Sequence, residues 1–166
     1  MNTGCNSITP HPQLLEVLFA CRQRSARVFN DVLGLHDVDH LAIGFVSPQQ
    51  QLLILSSTPA LEFNLFSRHL WRFDQSYSLT WITKQGFAGW QSLYHPACYH
   101  ELFYYKQLKT HYRRGHSLAV ANKHQPLVFS YASHKDTETG DISRDLGKMG
   151  YYCAQLLQPL VEPLGF

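Results

Sequence analysis

The densest group of chemically capable side chains in the sequence is His95, Cys98, His100 and Glu101. Zinc accepts nitrogen, sulfur and oxygen from such residues. Ligands this close in sequence need a distant partner to close a tetrahedron, and the expectation is no metal. Cys98 beside His95 or His100, with Asp74 as orienting group, can be drawn as a nucleophile and its base. Such sites are defined by spatial geometry, not by adjacency, and cysteine is commonly buried and inert. His36 and His40 form H-x-x-x-H, which shares one side of a helix. Here Asp37-Val38-Asp39 between them reads as a connector entering a strand. Glu16, Glu62, Glu101, Glu138 and Glu162 are scattered and form no acid/base pair. The nucleophile-elbow, phosphate-loop, zincin and dinucleotide fingerprints do not occur. The expectation is a non-enzyme with no cofactor.

Aromatic residues are the stronger feature. The chain of 166 residues has ten Phe, nine Tyr and three Trp, and thirteen of these fall between Phe63 and Tyr105. Aromatics with polar tips suit a site that is mostly apolar with a few orienting hydrogen bonds. Trp71, Tyr77, Trp81, Trp90, Tyr94 and Tyr105 are the candidate cavity residues. Ser117 and Ser130 are candidates for hydroxyl contacts to a ligand. The alternative is a filled core with tyrosines at its rim, since pocket and core use the same residue types.

Hydrophobic residues make up 45% of the chain and charged residues 16%, which excludes a disordered or low-complexity chain. A net charge of +2 is low for a nucleic-acid binder. The compact basic cluster, Lys106, Lys109, Arg113 and Arg114, reads as a solvated helix face. Ten His residues would add positive charge near pH 6. Cys5, Cys21, Cys98 and Cys153 form no CxxC pair and suit a reduced compartment. The first residues show no basic and apolar signal pattern, and no apolar run approaches the ~18 residues that cross a bilayer. The expectation is a cytoplasmic protein with a flexible N-terminus over 1–11 and a single domain over 12–166.

The elements that must position these residues follow from periodicity. Apolar residues from Leu14 to Leu33 recur at three- and four-residue steps and predict one helix over 12–33. The runs 40–46 and 51–57 predict a hairpin, with Ser47-Pro48 turning the chain. Pro59 opens a short helix over 60–70. Alternation predicts a strand over 77–83, then a loop over 84–96 and a long helix over 97–111. A second hairpin is predicted from 116–121 and 126–132, with 122–125 as its turn. The last helix, from Ile142 to about Leu160, carries Leu146, Met149, Tyr152, Cys153, Leu156 and Leu157 on one stripe. Hairpins imply antiparallel pairing, so the class is α+β, with a five-stranded antiparallel sheet flanked by helices and long helices at both ends.

This order resembles the PAS/GAF-like sensory folds, and within them the autoinducer-binding domains of LuxR-type transcriptional regulators. The likeness covers about residues 12–160. It rests on the first hairpin, on Arg114-Gly115-His116-Ser117-Leu118-Ala119-Val120-Ala121 with Leu127-Val128-Phe129-Ser130-Tyr131-Ala132-Ser133, and on the helix that follows. The resemblance implies that a glycine introduces a strand of ligand-facing residues and that Trp90 matches the tryptophan contacting the ligand carbonyl. The chain departs from the family pattern in lacking Asp-Pro: Trp71 is followed by Asp74 and Tyr77. Nor does a helix-turn-helix follow within the 166 residues.

The resemblance and the aromatic set together imply a small-molecule-binding sensory or regulatory module tied to transcriptional or signalling control. Its ligand is expected between the sheet and the helices at 60–70 and 97–111. The expected partners are that ligand, a second copy through the terminal helices and a regulatory protein; direct nucleic-acid and membrane binding are not expected. Two other readings stand beside it: a ligand-free interaction module derived from such a sensor, and a small Cys/His-dependent enzyme.

Overall fold

The computed structural model describes residues 7–121, 125–136 and 140–166. Among the described residues, six strands form one mixed sheet: β1 (Thr9–Pro10), β2 (His40–Val46), β3 (Gln51–Ser56), β4 (Phe87–Gly89), β5 (Arg114–Ala121) and β6 (Pro126–Ser133). Their spatial order is β1-β3-β2-β6-β5-β4. β1 lies parallel to β3 and every other neighbour is antiparallel. The class is α+β, as the two hairpins require. The strand count differs from the expected five because Thr9–Pro10 and Phe87–Gly89 pair at the two edges while 77–83 forms no strand. The first lies in the segment expected to be flexible, where Ile8 is also buried; residues 1–6 lie outside the described residues.

Among the described residues, seven α-helices accompany the sheet: α1 (Leu14–Ala20), α2 (Arg22–Phe29), α3 (Pro59–Ser67), α4 (Leu79–Thr83), α5 (Trp90–Leu93), α6 (Tyr99–Phe103) and α7 (Ser143–Val161). The single helix expected over 12–33 is broken at Cys21, whose backbone (φ −93°, ψ 5°) leaves the helical region and turns the chain between α1 and α2. The strand expected over 77–83 is helical. Asp74 accepts the Ser76 N–H and Ser78 accepts the Trp81 N–H, and these local caps outweigh the strand preference of the alternating residues. The loop expected over 84–96 contains β4 and α5. The helix expected over 97–111 is a composite: a 3₁₀ turn (Pro96–Cys98), α6, and a π turn (Tyr104–Leu108). Of the turn expected over 122–125, residues 122–124 lie outside the described residues.

α7 follows the expected helix closely, but its stripe is narrower. Leu146, Met149, Cys153 and Leu157 are buried, whereas Tyr152 and Leu156 are exposed. α7 packs on β2, β5 and β6 and against α2. Phe129, Tyr131 and Leu118 meet it from the sheet, and the Tyr131 hydroxyl donates to the Leu146 carbonyl.

Part of the opposite sheet face is built of small and polar residues. Cross-strand partners share a face. Register places His40, Ala132 and Gly115 in one row and Ala42, Ser130 and Ser117 in the next. Large side chains are absent from these two rows, so α3 to α6 and their connecting turns can bring bulky groups down onto the sheet. No helix among the described residues is long and apolar enough to cross a membrane.

Candidate functional site

The space above the two small-residue rows holds a buried polar and aromatic cluster. Trp90, at the start of α5, lies over Gly115. A Cβ on that glycine would fall 2.1 Å from Trp90 Cδ2, so only glycine admits the indole. Tyr94, one residue past α5, donates its hydroxyl to Gln107 Oε1 at 2.8 Å. The backbone of Tyr94 pairs with that of Asp74 in an isolated bridge. Ser76 and Ser117 hydroxyls meet at 2.9 Å, and Ser117 and Ser130 at 3.5 Å.

Two close pairs of titratable side chains complete the cluster. Lys106 Nζ lies 2.6 Å from Asp74 Oδ2, and both side chains are almost fully buried. The same ammonium stands 4.1 Å from the centre of the Trp90 ring and 5.4 Å from that of Tyr94. Asp74 Oδ1 accepts the Ser76 N–H at 3.0 Å, so both carboxylate oxygens have partners. On β2, His40 Nε2 lies 3.4 Å from Glu62 Oε1, again fully buried. His40 Nδ1 faces Thr58 Oγ1 at 3.0 Å and Ser57 Oγ at 3.3 Å, and Thr58 Oγ1 meets the Tyr112 hydroxyl at 2.8 Å. The His40 ring sits edge-on to Trp90, 6.1 Å between centres.

Burial pushes the Tyr77 hydroxyl far above its ordinary range; Asp74 and Glu62 add to this and a hydrogen bond with Ser130 opposes it. Burial raises Tyr94 too, with Asp74 and then Tyr99 contributing. Both phenols therefore act as neutral hydrogen-bonding groups.

Of the five buried side-chain atoms without a hydrogen-bond partner among the described residues, three lie here: Trp90 Nε1, Glu62 Oε2 and His40 Nε2, the last still 3.4 Å from Glu62 Oε1. They belong to adjoining side chains. Buried polar groups in folded proteins are nearly always paired, and an unpaired one costs about 1–3 kcal/mol. A donor and an acceptor, Trp90 Nε1 and Glu62 Oε2, therefore stand open within one aromatic interior, beside the His40 ring.

Of the residues expected from the sequence, Tyr77, Trp90, Tyr94, Ser117 and Ser130 converge in this cluster. The other three lie half-buried farther out. Trp71 stacks on Phe66, Trp81 covers Gly86, and Tyr105 lies under the Arg68 guanidinium. Lys106 is a correction: it does not belong to a solvated face, because the π turn directs it inward while Lys109 stays exposed. Glu62 and His40 also gain a place in the site. The sequence signal for them is faint: Glu62 stands among scattered glutamates, and His40 is paired only with His36 in H-x-x-x-H. His36 lies apart, in a turn with φ 52°. His95 is spent as a cap, its Nδ1 accepting the Ala97 N–H. Cys98 meets His95 only through the backbone, its N–H donating to the His95 carbonyl at 3.1 Å, and among the described residues no three His, Cys, Asp or Glu gather as a metal-holding group.

No family model and no curated protein matches the sequence. The fold is that of the autoinducer-binding domains of LuxR-type regulators. It matches SdiA of Escherichia coli at a TM-score of 0.55 and 13% identity, covering 88% of this chain and 67% of that one. It matches CepR2 of Burkholderia cenocepacia, an N-acylhomoserine-lactone-dependent LuxR-family transcription factor, at 0.54 and 13%, covering 91% and 94%. It also matches SdiA in complex with octanoyl-rac-glycerol at 0.53 and 11%, covering 87% and 59%. At these identities the likeness is one of fold.

Proposed function

We propose that this domain is a non-enzymatic sensory or regulatory module that binds a small, partly apolar ligand between the sheet and α3–α6. The observation that carries this reading is the pair of open atoms, Trp90 Nε1 and Glu62 Oε2, inside an aromatic interior. A ligand group able both to accept and to donate would satisfy them, while the ring faces of Trp90, Tyr77 and Tyr94 bury its apolar part. Trp71, Trp81 and Tyr105 then form the outer wall, and Ser117 and Ser130 supply hydroxyl contacts. The fold supports the reading, since the similar chains include a lactone-dependent regulator and a regulator in complex with an acylglycerol. The proposed partners are that ligand, a second copy through the terminal helices and a regulatory protein, in the cytoplasm, in transcriptional or signalling control.

The test uses thermal unfolding with octanoyl-rac-glycerol as probe, together with mass spectrometry of small molecules released from the purified protein. A ligand at 100 times its Kd stabilises by about 2.7 kcal/mol, a rise in Tm of several degrees. Trp90→Phe removes the open donor and is expected to shrink that rise. No released molecule, together with no shift from either the probe or a cell extract, would remove the reading. Sedimentation of the same samples reads the second-copy contact.

A ligand-free interaction module is the second reading, and one observation favours it. The Asp74–Lys106 pair satisfies from within the carboxylate that would otherwise face a ligand.

A further inference from the structure

The structure assigns to Asp74, Trp90 and Tyr94 an ammonium-binding cage that the chain fills with its own Lys106. The chemistry is that of alkylammonium recognition: a carboxylate at 2.6 Å and two aromatic faces at 4.1 and 5.4 Å around one cation. Each wall has a contact other than the lysine, although the one to Tyr94 comes from Gln107 on the same turn. Asp74 is fixed by the Ser76 N–H, Tyr94 by Gln107, and Trp90 by its seat on Gly115. The π turn delivers the guest. The Lys109 N–H reaches back five residues to the Tyr104 carbonyl at 2.8 Å, and Thr110 Oγ1 donates to the Lys106 carbonyl at 2.7 Å. Such π turns recur at functional sites because they redirect a side chain.

Lys106 thus acts as an internal ligand. It joins the 104–108 turn to Asp74 and to α5, the elements that roof the small-residue face of the sheet. The roof assembles around a group carried by the chain, so the domain reaches its folded state without an added small molecule. This holds whether or not the open atoms beside the cage take a ligand, and the two ideas fail separately.

The experiment has two arms. Wild-type protein is denatured in guanidinium and refolded into buffer free of organic additives; recovery of the original Tm is expected, and a requirement for an added small molecule overturns the proposal. Lys106→Ala empties the cage and leaves Asp74 uncompensated, with an expected fall in Tm of roughly 10 °C. Ethylammonium chloride is then expected to raise the Tm of Lys106→Ala several degrees above equimolar sodium chloride, and to leave wild type unchanged. Equal response of variant and wild type overturns the proposal. If Lys106→Ala does not fold, Lys106→Met and Lys106→Met/Asp74→Asn replace it. The double variant is expected to be the more stable, because it removes the stranded carboxylate; the opposite order overturns the proposal.

Discussion

Gly115 and Trp90 form one unit at the residue scale. The glycine is needed for space, since the face of the indole occupies the volume of a Cβ. Gly115→Ala is expected to destabilise by about 3 kcal/mol through overpacking, the high end of the usual range because the contact is with a fully buried ring. Urea unfolding reads it, and a loss below about 0.5 kcal/mol would show that Trp90 can move aside. Lys106 teaches the opposite lesson about legibility. Near Lys109, Arg113 and Arg114 it looks like one charge of a surface cluster. A five-residue backbone step turns it inward to a carboxylate 32 positions earlier. Residue type cannot report such a step, because the hydrogen-bond register of a helix turn is set by what its side chains meet.

At the scale of elements, α7 shows two glycines with opposite roles. Gly150 lies against Phe129, and a Cβ there would fall 2.5 Å from Phe129 Cδ2; at Gly147 the nearest atom, Leu118 Cδ2, lies at an ordinary 3.4 Å. Gly147→Ala is therefore expected to stabilise by about 0.5–1 kcal/mol through backbone entropy. Gly150→Ala is expected to destabilise by about 1–3 kcal/mol despite the same propensity gain. Chemical denaturation of the two variants checks the pair, and equal signs would mean that α7 is not seated on Phe129 as closely as described. The two hairpins and α7 were legible because alternating or helical apolar patterns run through them uninterrupted. The region 70–108 was not, because its short helices are set by caps at Asp74, Ser78 and His95 and by packing on the sheet. Apolar alternation over 77–83 fits a strand and one short capped turn equally well.

At the scale of the whole molecule, burial holds several acids neutral. Burial pushes the Cys153 thiol up to about 12, with Asp31 adding to it, and burial dominates the raised Tyr77, Tyr94 and Tyr131. Each group binds its proton more tightly folded than unfolded. The resulting stability is complete below the unfolded values, near 8.5–9 for Cys and 10 for Tyr. It is lost as pH rises from there toward the folded values. Stability is expected to be flat from pH 7 to 8 and to fall above about 9, steepening above about 10 by up to about 1.4 kcal/mol per pH unit for each group. Guanidinium midpoints across pH 8–11 test this, and a flat profile to pH 11 contradicts it.

The sequence by itself determined the α+β class, both central hairpins, α7 and the concentration of aromatics between Phe63 and Tyr105. These depend on local periodicity and composition, which are properties of neighbouring residues. Tertiary structure alone decided that Asp74 meets Lys106, that His40 meets Glu62, and that Trp90 rests on Gly115. Those pairs join residues far apart in the chain. Each depends on cross-strand register and on space left by small residues in other elements, and no one-dimensional pattern carries that information.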